Sequence, residues 1–396
     1  MTQEPKTFPY IERLLQGAEV VWKPLGELAE YEQPTKYLVK SSNYKDIYPT
    51  PVLTAGKTFI LGYTDETEGI YKASISPVII FDDFTTANKW VDFDFKAKSS
   101  AMKMITSKNE KEVLLKYIYY WLNTLPSELI EGDHKRQWIS NYANKKIPLP
   151  PLSVQQEIVR ILDKFTQLEA ELEAELDSRK RQYEYYRNKL LTFNEIGGGT
   201  EIVWKTLGEV AKKISSGGTP KTTVSEYYNG EIPWLRTQEV GYGEIWDTSI
   251  KITEDAVKNS SAKWIPRDCV IIAMYGATVG KVGINKIPLT TNQACSNIEV
   301  NEDIANYKYV YYCLLNQYEY IKSLGVGSQT NINAQIVKKL KIPLPSLEEQ
   351  QRIVTILDKF DTLVNSISEG LPREIELRRK QYEYYREKLL TFTNNQ

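Results

Sequence analysis

Nucleophilic, acid–base and metal chemistry need residue types that this chain largely lacks. His134 is the only histidine, which excludes histidine triads, dyads and multi-histidine metal sites. The three cysteines, Cys269, Cys295 and Cys313, are odd in number and have no paired spacing. They argue against a disulfide framework or a zinc site and fit a reducing cytoplasm. GATVGK, from Gly276 to Lys281, has too few residues between its glycines for a phosphate loop, and no Ser or Thr follows Lys281. It reads as a Gly-containing turn. There is no Gly-rich cofactor fingerprint and no Asn/Asp-Pro-Pro-aromatic motif of an adenine-amino methyltransferase. The expectation is a binding protein with no catalytic residue, metal or cofactor of its own.

What remains is recognition chemistry. The second half carries SSGGTPKTT from Ser215, WLRTQEV from Trp234, TTNQACSN from Thr290 and GSQTNINAQ from Gly327. The first half carries TAGKTFILGYT from Thr54, KAKSSAMK from Lys96 and GDHKRQW from Gly132. Amide side chains suit adenine edges, Arg and Lys suit guanine edges, and hydroxyls and glycine N–H groups suit phosphates.

The elements behind these loops come in two copies. KIPLPPL from Lys146 returns as KIPLPSL from Lys341, QQEIVRILDKF from Gln155 as QQRIVTILDKF from Gln350, and RKRQYEYYRNKLLTF as RRKQYEYYREKLLTF. VVWKPLGEL from Val20 matches IVWKTLGEV from Ile202. Between these blocks one common offset aligns Val78 with Val270, Lys89 with Lys281 and Lys116 with Lys308. So many collinear matches mark an internal duplication. VII before FDDF and VIIAMYG read as buried strands, and the stretches around KYIYYWL and KYVYYCL as helices. IPLP cannot continue a helix or sit in a central strand, so it separates a globular domain from a long helix. NEIGGGTE after Phe193 reads as a flexible exit into the second domain.

Apolar residues at three- and four-residue spacing (Ile158, Ile161, Phe165, Leu168, Leu172) predict a first long helix. Within it LEAELEAEL sets Leu168, Leu172 and Leu176 four apart, a stutter in heptad terms. The second copy carries Ile353, Ile356, Phe360, Leu363 and Ile367, then a fresh turn or kink at Gly370 and Pro372. The two stripes are expected to pack antiparallel, with the domains at opposite ends. The basic runs Arg179–Arg181 and Arg378–Lys380 read as solvated faces. The fold class is α+β: two similar α/β domains separated by two long antiparallel helices in a pseudo-two-fold duplication. The divisions fall at 1–151, 152–194, 195–346 and 347–396.

With 396 residues, 50 Lys and Arg against 51 Asp and Glu, and 41% hydrophobic content, the chain is a multi-domain protein without a basic excess. No apolar run is long enough for a membrane span, and MTQEPKTFPYIERLL has no signal-peptide pattern.

The duplicated KIPLP…QQ-x-IV-x-ILDKF…YEYYR-x-KLLTF blocks, WK-x-LGE at each domain start and GSQTNINAQ together resemble the specificity subunit of a type I restriction-modification enzyme, over essentially the whole chain. The resemblance implies two target recognition domains, each reading half of a bipartite asymmetric site in double-stranded DNA. It also implies that the helices dock two modification (methyltransferase) subunits and that restriction subunits join them. S-adenosylmethionine, ATP and Mg would then be held by the partners. Two departures limit the transfer. FDDFTTANK in the first domain differs from AMYGATVGK in the second, and LPR interrupts the second helix alone.

On this reading the DNA-binding candidates of the second domain are Arg236, Thr237, Gln238, Tyr275, Lys281, Asn292, Gln293, Ser328, Gln329, Thr330 and Asn331. The offset transfers the site to Thr86, Lys89, Ser99 and Ser100, with Lys103 nearby. His134, Lys135 and Arg136 come from the loop opposite GSQTN. LEAELEAEL, through Leu168, Leu172 and Leu176, is expected to set the spacer between half-sites. Two other readings stay open: a two-domain scaffold binding proteins or glycans through anchors such as Trp234 and Trp246, and a lone DNA-binding regulator. The second is disfavoured by balanced charge and by two apolar seams that invite partner helices.

Overall fold

The computed structural model describes residues 7–55, 58–126, 136–193, 202–325 and 331–393. NEIGGGTE lies outside them. The chain divides into two compact units, residues 1–173 with 374–396, and residues 174–373. Each unit therefore holds one globular part and a portion of each long helical segment, so the units cut across the helices.

The first unit is built around the strand Val78–Asp82, whose five residues are all buried. It lies between Met102–Ser107 and Asn88–Val91 in a four-stranded antiparallel sheet that Ala29–Glu32 completes. Side chains alternate across a strand, so Ile79 and Phe81 enter a core shared with the helix Leu115–Leu122 and the start of the long helix. Val78 and Ile80 enter a smaller core on the other face. The second unit repeats the plan around Val270–Ala273 in a five-stranded sheet. There Val270, Ile272 and Met274 join the core of the helix Tyr307–Asn316, and Ile271 and Ala273 join the opposite one.

KIPL forms a strand in both copies, but only in two-stranded pairs, Val21–Pro24 with Lys146–Leu149 and Val203–Thr206 with Lys341–Leu344. A pair has only edges, which is where a residue without an N–H is tolerated. The carbonyls of Pro148 and Pro343 accept the hydroxyls of Tyr117 and Tyr309, each at 2.8 Å. Beside them, Tyr120 donates to Asp163 and Tyr312 to Asp358.

The first long helix is continuous from Leu152 to Leu191, through LEAELEAEL. Leu168, Leu172 and Leu176 are each half-buried along it. The second is broken into Leu347–Asn365 and Gly370–Leu390, as the Gly370 and Pro372 pair led us to expect. In the first unit Phe165 stacks on Tyr385 at 5.6 Å, and Arg379 pairs with Glu169 and Glu173 further along, so the two helices run antiparallel. Arg379 is thus spent on an interhelix ion pair, not left to solvent alone. In the second unit Tyr183 and Tyr186 stack on Phe360 at 6.2 and 5.6 Å. Among the described residues no helix is long and apolar enough to cross a membrane.

Candidate nucleic-acid interface

In the second unit hydrogen bonds tie five loops into one polar cluster. Thr278 Oγ1 donates to the Thr237 carbonyl at 2.8 Å, and Asn292 Nδ2 reaches Thr237 Oγ1 at 3.4 Å. Gly276 N–H donates to Asn331 Oδ1 at 3.3 Å, and Thr219 donates to Gln293 Oε1. Arg236 is held by Glu239 at 3.0 Å and Ser249 at 3.2 Å. Burial would push the Glu239 carboxyl up, but the Ser249 N–H and the Arg236 guanidinium outweigh it and hold it below the ordinary range. Sequence reasoning named the loops that carry Thr219 and Glu239 without singling those residues out, and it missed Ser249, because their role depends on which loops meet in space.

The cluster therefore contains two kinds of residue. Thr237 and Asn292 brace it: Thr237 is buried, and Asn292 Oδ1 accepts from Ala294 N at 3.2 Å. Gln238, Tyr275 and Gln293 are exposed, and Gln238 and Tyr275 make no side-chain hydrogen bond among the described residues. The two amide side chains can turn polar groups toward a ligand, and Tyr275 can turn its ring. Lys281 is set apart, its ammonium 5.6 Å over the Tyr242 ring. Ser328, Gln329 and Thr330 lie outside the described residues, as do His134 and Lys135.

The first unit builds its counterpart around Asp83. This buried carboxylate accepts from Trp138 N at 2.9 Å and faces Lys103 Nζ at 3.4 Å. Its backbone N–H donates to Ala101 at 3.2 Å, and its carbonyl accepts from Gln137 at 2.8 Å. The hairpin tip, the Ser99–Lys103 segment and the stretch after Arg136 are thereby joined. Ser99, Ser100 and Lys89 are exposed, and Arg136 lies at the edge of the described stretch.

Two expectations about this site need correction. Lys103 is fully buried, between Asp83 and the Tyr31 ring at 4.7 Å. Its charge is committed to the interior, and a Lys withdrawn from water this way serves the fold rather than a phosphate. Thr86 is also mostly buried, and its backbone is left-handed (φ 61°), the conformation Gly280 takes (φ 81°) in the second hairpin. The amide of Thr86 donates to Asp82 as that of Gly280 donates to Ala273.

That match exposes a slip in the offset inferred from the sequence. Asp82 corresponds to Ala273, so Val78 is not the counterpart of Val270. The facing pattern agrees, because Ile79 and Phe81 point to the helix-side core as Val270 and Ile272 do. Lys89, opposite Ile80, is level with Gly283, opposite Ile271, and not with Lys281. The run VII is apolar on both faces and so has no alternation to reveal a one-residue shift.

The thiols of Cys269, Cys295 and Cys313 are buried, and burial pushes each up to about 12. They are protonated at neutral pH and poor nucleophiles. Trp234 is also buried, which removes one of the two anchors of the scaffold reading.

Comparison with known proteins gives one answer. The family model for the type I restriction modification DNA specificity domain matches twice, over residues 18–178 and 201–377. The chain is 56% identical to the type I restriction enzyme EcoR124I/EcoR124II specificity subunit of Escherichia coli, over 97% of each. The fold is similar to that of the type I restriction-modification S subunit from M. genitalium, with a TM-score of 0.60, 17% identity and coverage of 96% and 98%. It is equally similar, at a TM-score of 0.60 and 18% identity over 98% and 99%, to a chain from a structural study of complex assembly and conformational transition of the type I restriction-modification system. The scaffold alternative finds no support.

Proposed function

The chain belongs to the type I restriction-modification specificity-subunit family, with two target recognition domains, and from that premise we propose how the work is divided within it. Each unit reads one half of a bipartite site in double-stranded DNA through its hairpin-tip cluster. The second uses Arg236, Gln238, Tyr275 and Gln293, with Thr237, Asn292 and Asn331 bracing them. The first uses Ser99, Ser100, Lys89 and the stretch that includes Arg136. The recurrence of a braced polar loop cluster at the same hairpin end of both units carries this reading. A single polar loop would not, since loops are polar on most proteins.

Methyl transfer and cleavage fall to partner subunits: two modification subunits docked on the paired helices, and restriction subunits beyond them. A complex enclosing DNA with its partners needs less basic charge on this chain, in line with 50 basic and 51 acidic residues. The free, buried cysteines suit a reducing cytoplasm. LEAELEAEL acts as the ruler between half-sites.

Co-expression with a modification subunit, affinity capture and sequencing of methylated DNA test the proposal. The expected product is a copurifying complex that methylates one bipartite motif. Methylation without sequence preference, or no capture of the modification subunit, would contradict it.

A further inference from the structure

The corrected register pairs two residues that the sequence does not align. Asp83 N–H donates to Ala101 at 3.2 Å and Asp83 O accepts from Gln137 at 2.8 Å; Met274 N–H donates to Ala294 at 2.8 Å and Met274 O accepts from Ile332 at 3.0 Å. Asp83 and Met274 are therefore the same position, the last clamped residue before each tip. The next residue is Phe84 in one unit and Tyr275 in the other, and both rings are 41% exposed.

Neither ring sits on a loose loop. Asp82 Oδ1 accepts the amides of Phe84 at 2.9 Å and Thr85 at 3.2 Å, and Asp83 anchors the turn from inside. Behind Tyr275, the amide of Gly276 is held by Asn331. A half-exposed aromatic on a braced tip, beside the hydroxyls, amides and cations of the neighbouring loops, is an apolar group placed where a polar one would be the default. Phenylalanine offers no hydrogen bond, so whatever the shared position does, it does with the ring. Duplex DNA offers such a ring two surfaces, the thymine methyl in the major groove and the face of a base where the ring wedges into a step.

We propose that Phe84 and Tyr275 are equivalent specificity determinants, each pressing an aromatic ring against the bases of its own half-site. The proposal rests on the division of labour stated above and adds Phe84, which sequence patterning did not single out. The Tyr275 hydroxyl is dispensable on this account, because Phe84 lacks one.

The test uses the complex of this chain with its modification subunit and duplexes carrying the mapped motif, one with each half-site scrambled and one with both. Phe84→Ala and Tyr275→Ala should each weaken binding to the intact motif roughly 5- to 100-fold, with assembly, melting temperature and affinity for the doubly scrambled duplex unchanged. Each variant should lose discrimination at one half-site only, and at different ones, while Tyr275→Phe behaves as wild type. Phe84→Ser is the second variant should Phe84→Ala fail to assemble. Wild-type affinity and discrimination in an assembled Phe84 variant would overturn the proposal and leave the subunit's function standing. A wild-type complex that binds intact and doubly scrambled duplexes equally would sink the underlying reading instead.

Discussion

Gln350, fully buried at the start of the second helical segment, accepts the backbone N–H of Asn306 on Oε1 at 2.9 Å and donates to the Pro345 carbonyl at 2.9 Å. Gln155 makes the same pair of contacts in the first unit, to Leu114 N and Pro150 O. One side chain thus satisfies a loop amide and a proline carbonyl and joins each globular part to its helix. Gln350→Leu leaves both groups unpaired in the interior and should cost roughly 2–4 kcal/mol. Chemical denaturation read on the second unit measures it, and Gln155→Leu should act likewise on the first.

Gly370 is the second point of rigidity. Its φ is 76°, and a Cβ there would meet the Thr362 carbonyl oxygen at 2.4 Å. Gly370→Ala should lower stability by about 1–2 kcal/mol from backbone conformation alone, with the clash adding to it. A shift of the second unit's melting transition is the measurement.

Asp361 gives a pH dependence. Burial raises its carboxyl above the ordinary range, with Asp358 adding to the rise, against the opposing pull of Asn365, Tyr183 and Lys308. A group whose folded value is raised contributes stability while protonated and loses it as pH climbs through the folded value. Asp361→Asn should therefore raise the melting temperature by a few degrees at neutral pH. The gain should shrink as pH falls into the carboxylate range. A constant difference across pH would contradict the assignment.

Much of this was legible in the sequence. QQ-x-IV-x-ILDKF, KYIYYWL and KIPLP mark elements whose side chains meet the same partners in both units, so the duplication, the helices and the break at Gly370 could be read directly. The sites were legible only in part. Arg236, Gln238 and Gln293 were visible as residue types, but the bracing role of Asn292 and Thr237 depends on contacts between distant loops. Lys103 looked like a surface cation because nothing near it in sequence announces the carboxylate of Asp83 across the sheet. Phe84 was hidden because VII, apolar on both faces, hides a one-residue slip.

The ruler is tested by deleting residues 168–171. Removing four helical residues shortens the segment by about 6 Å and turns its end by roughly 40°. Against ~3.4 Å per base pair, the spacer should shorten by one or two base pairs with both half-sites unchanged. An active variant with the original spacer would contradict it.

The central claim, one half-site per domain, is tested most directly by sequencing the methylated positions produced by complexes carrying Gln238→Ala with Gln293→Ala. Both side chains are exposed, and the loop that loses the Thr219–Gln293 contact stays held by Gly218 N–H on the Thr291 carbonyl at 2.9 Å, so the cluster should remain folded. The account predicts that one half of the motif becomes degenerate while the other half and the spacer stay as in the wild type. An unchanged motif, or both halves relaxing together, would contradict it.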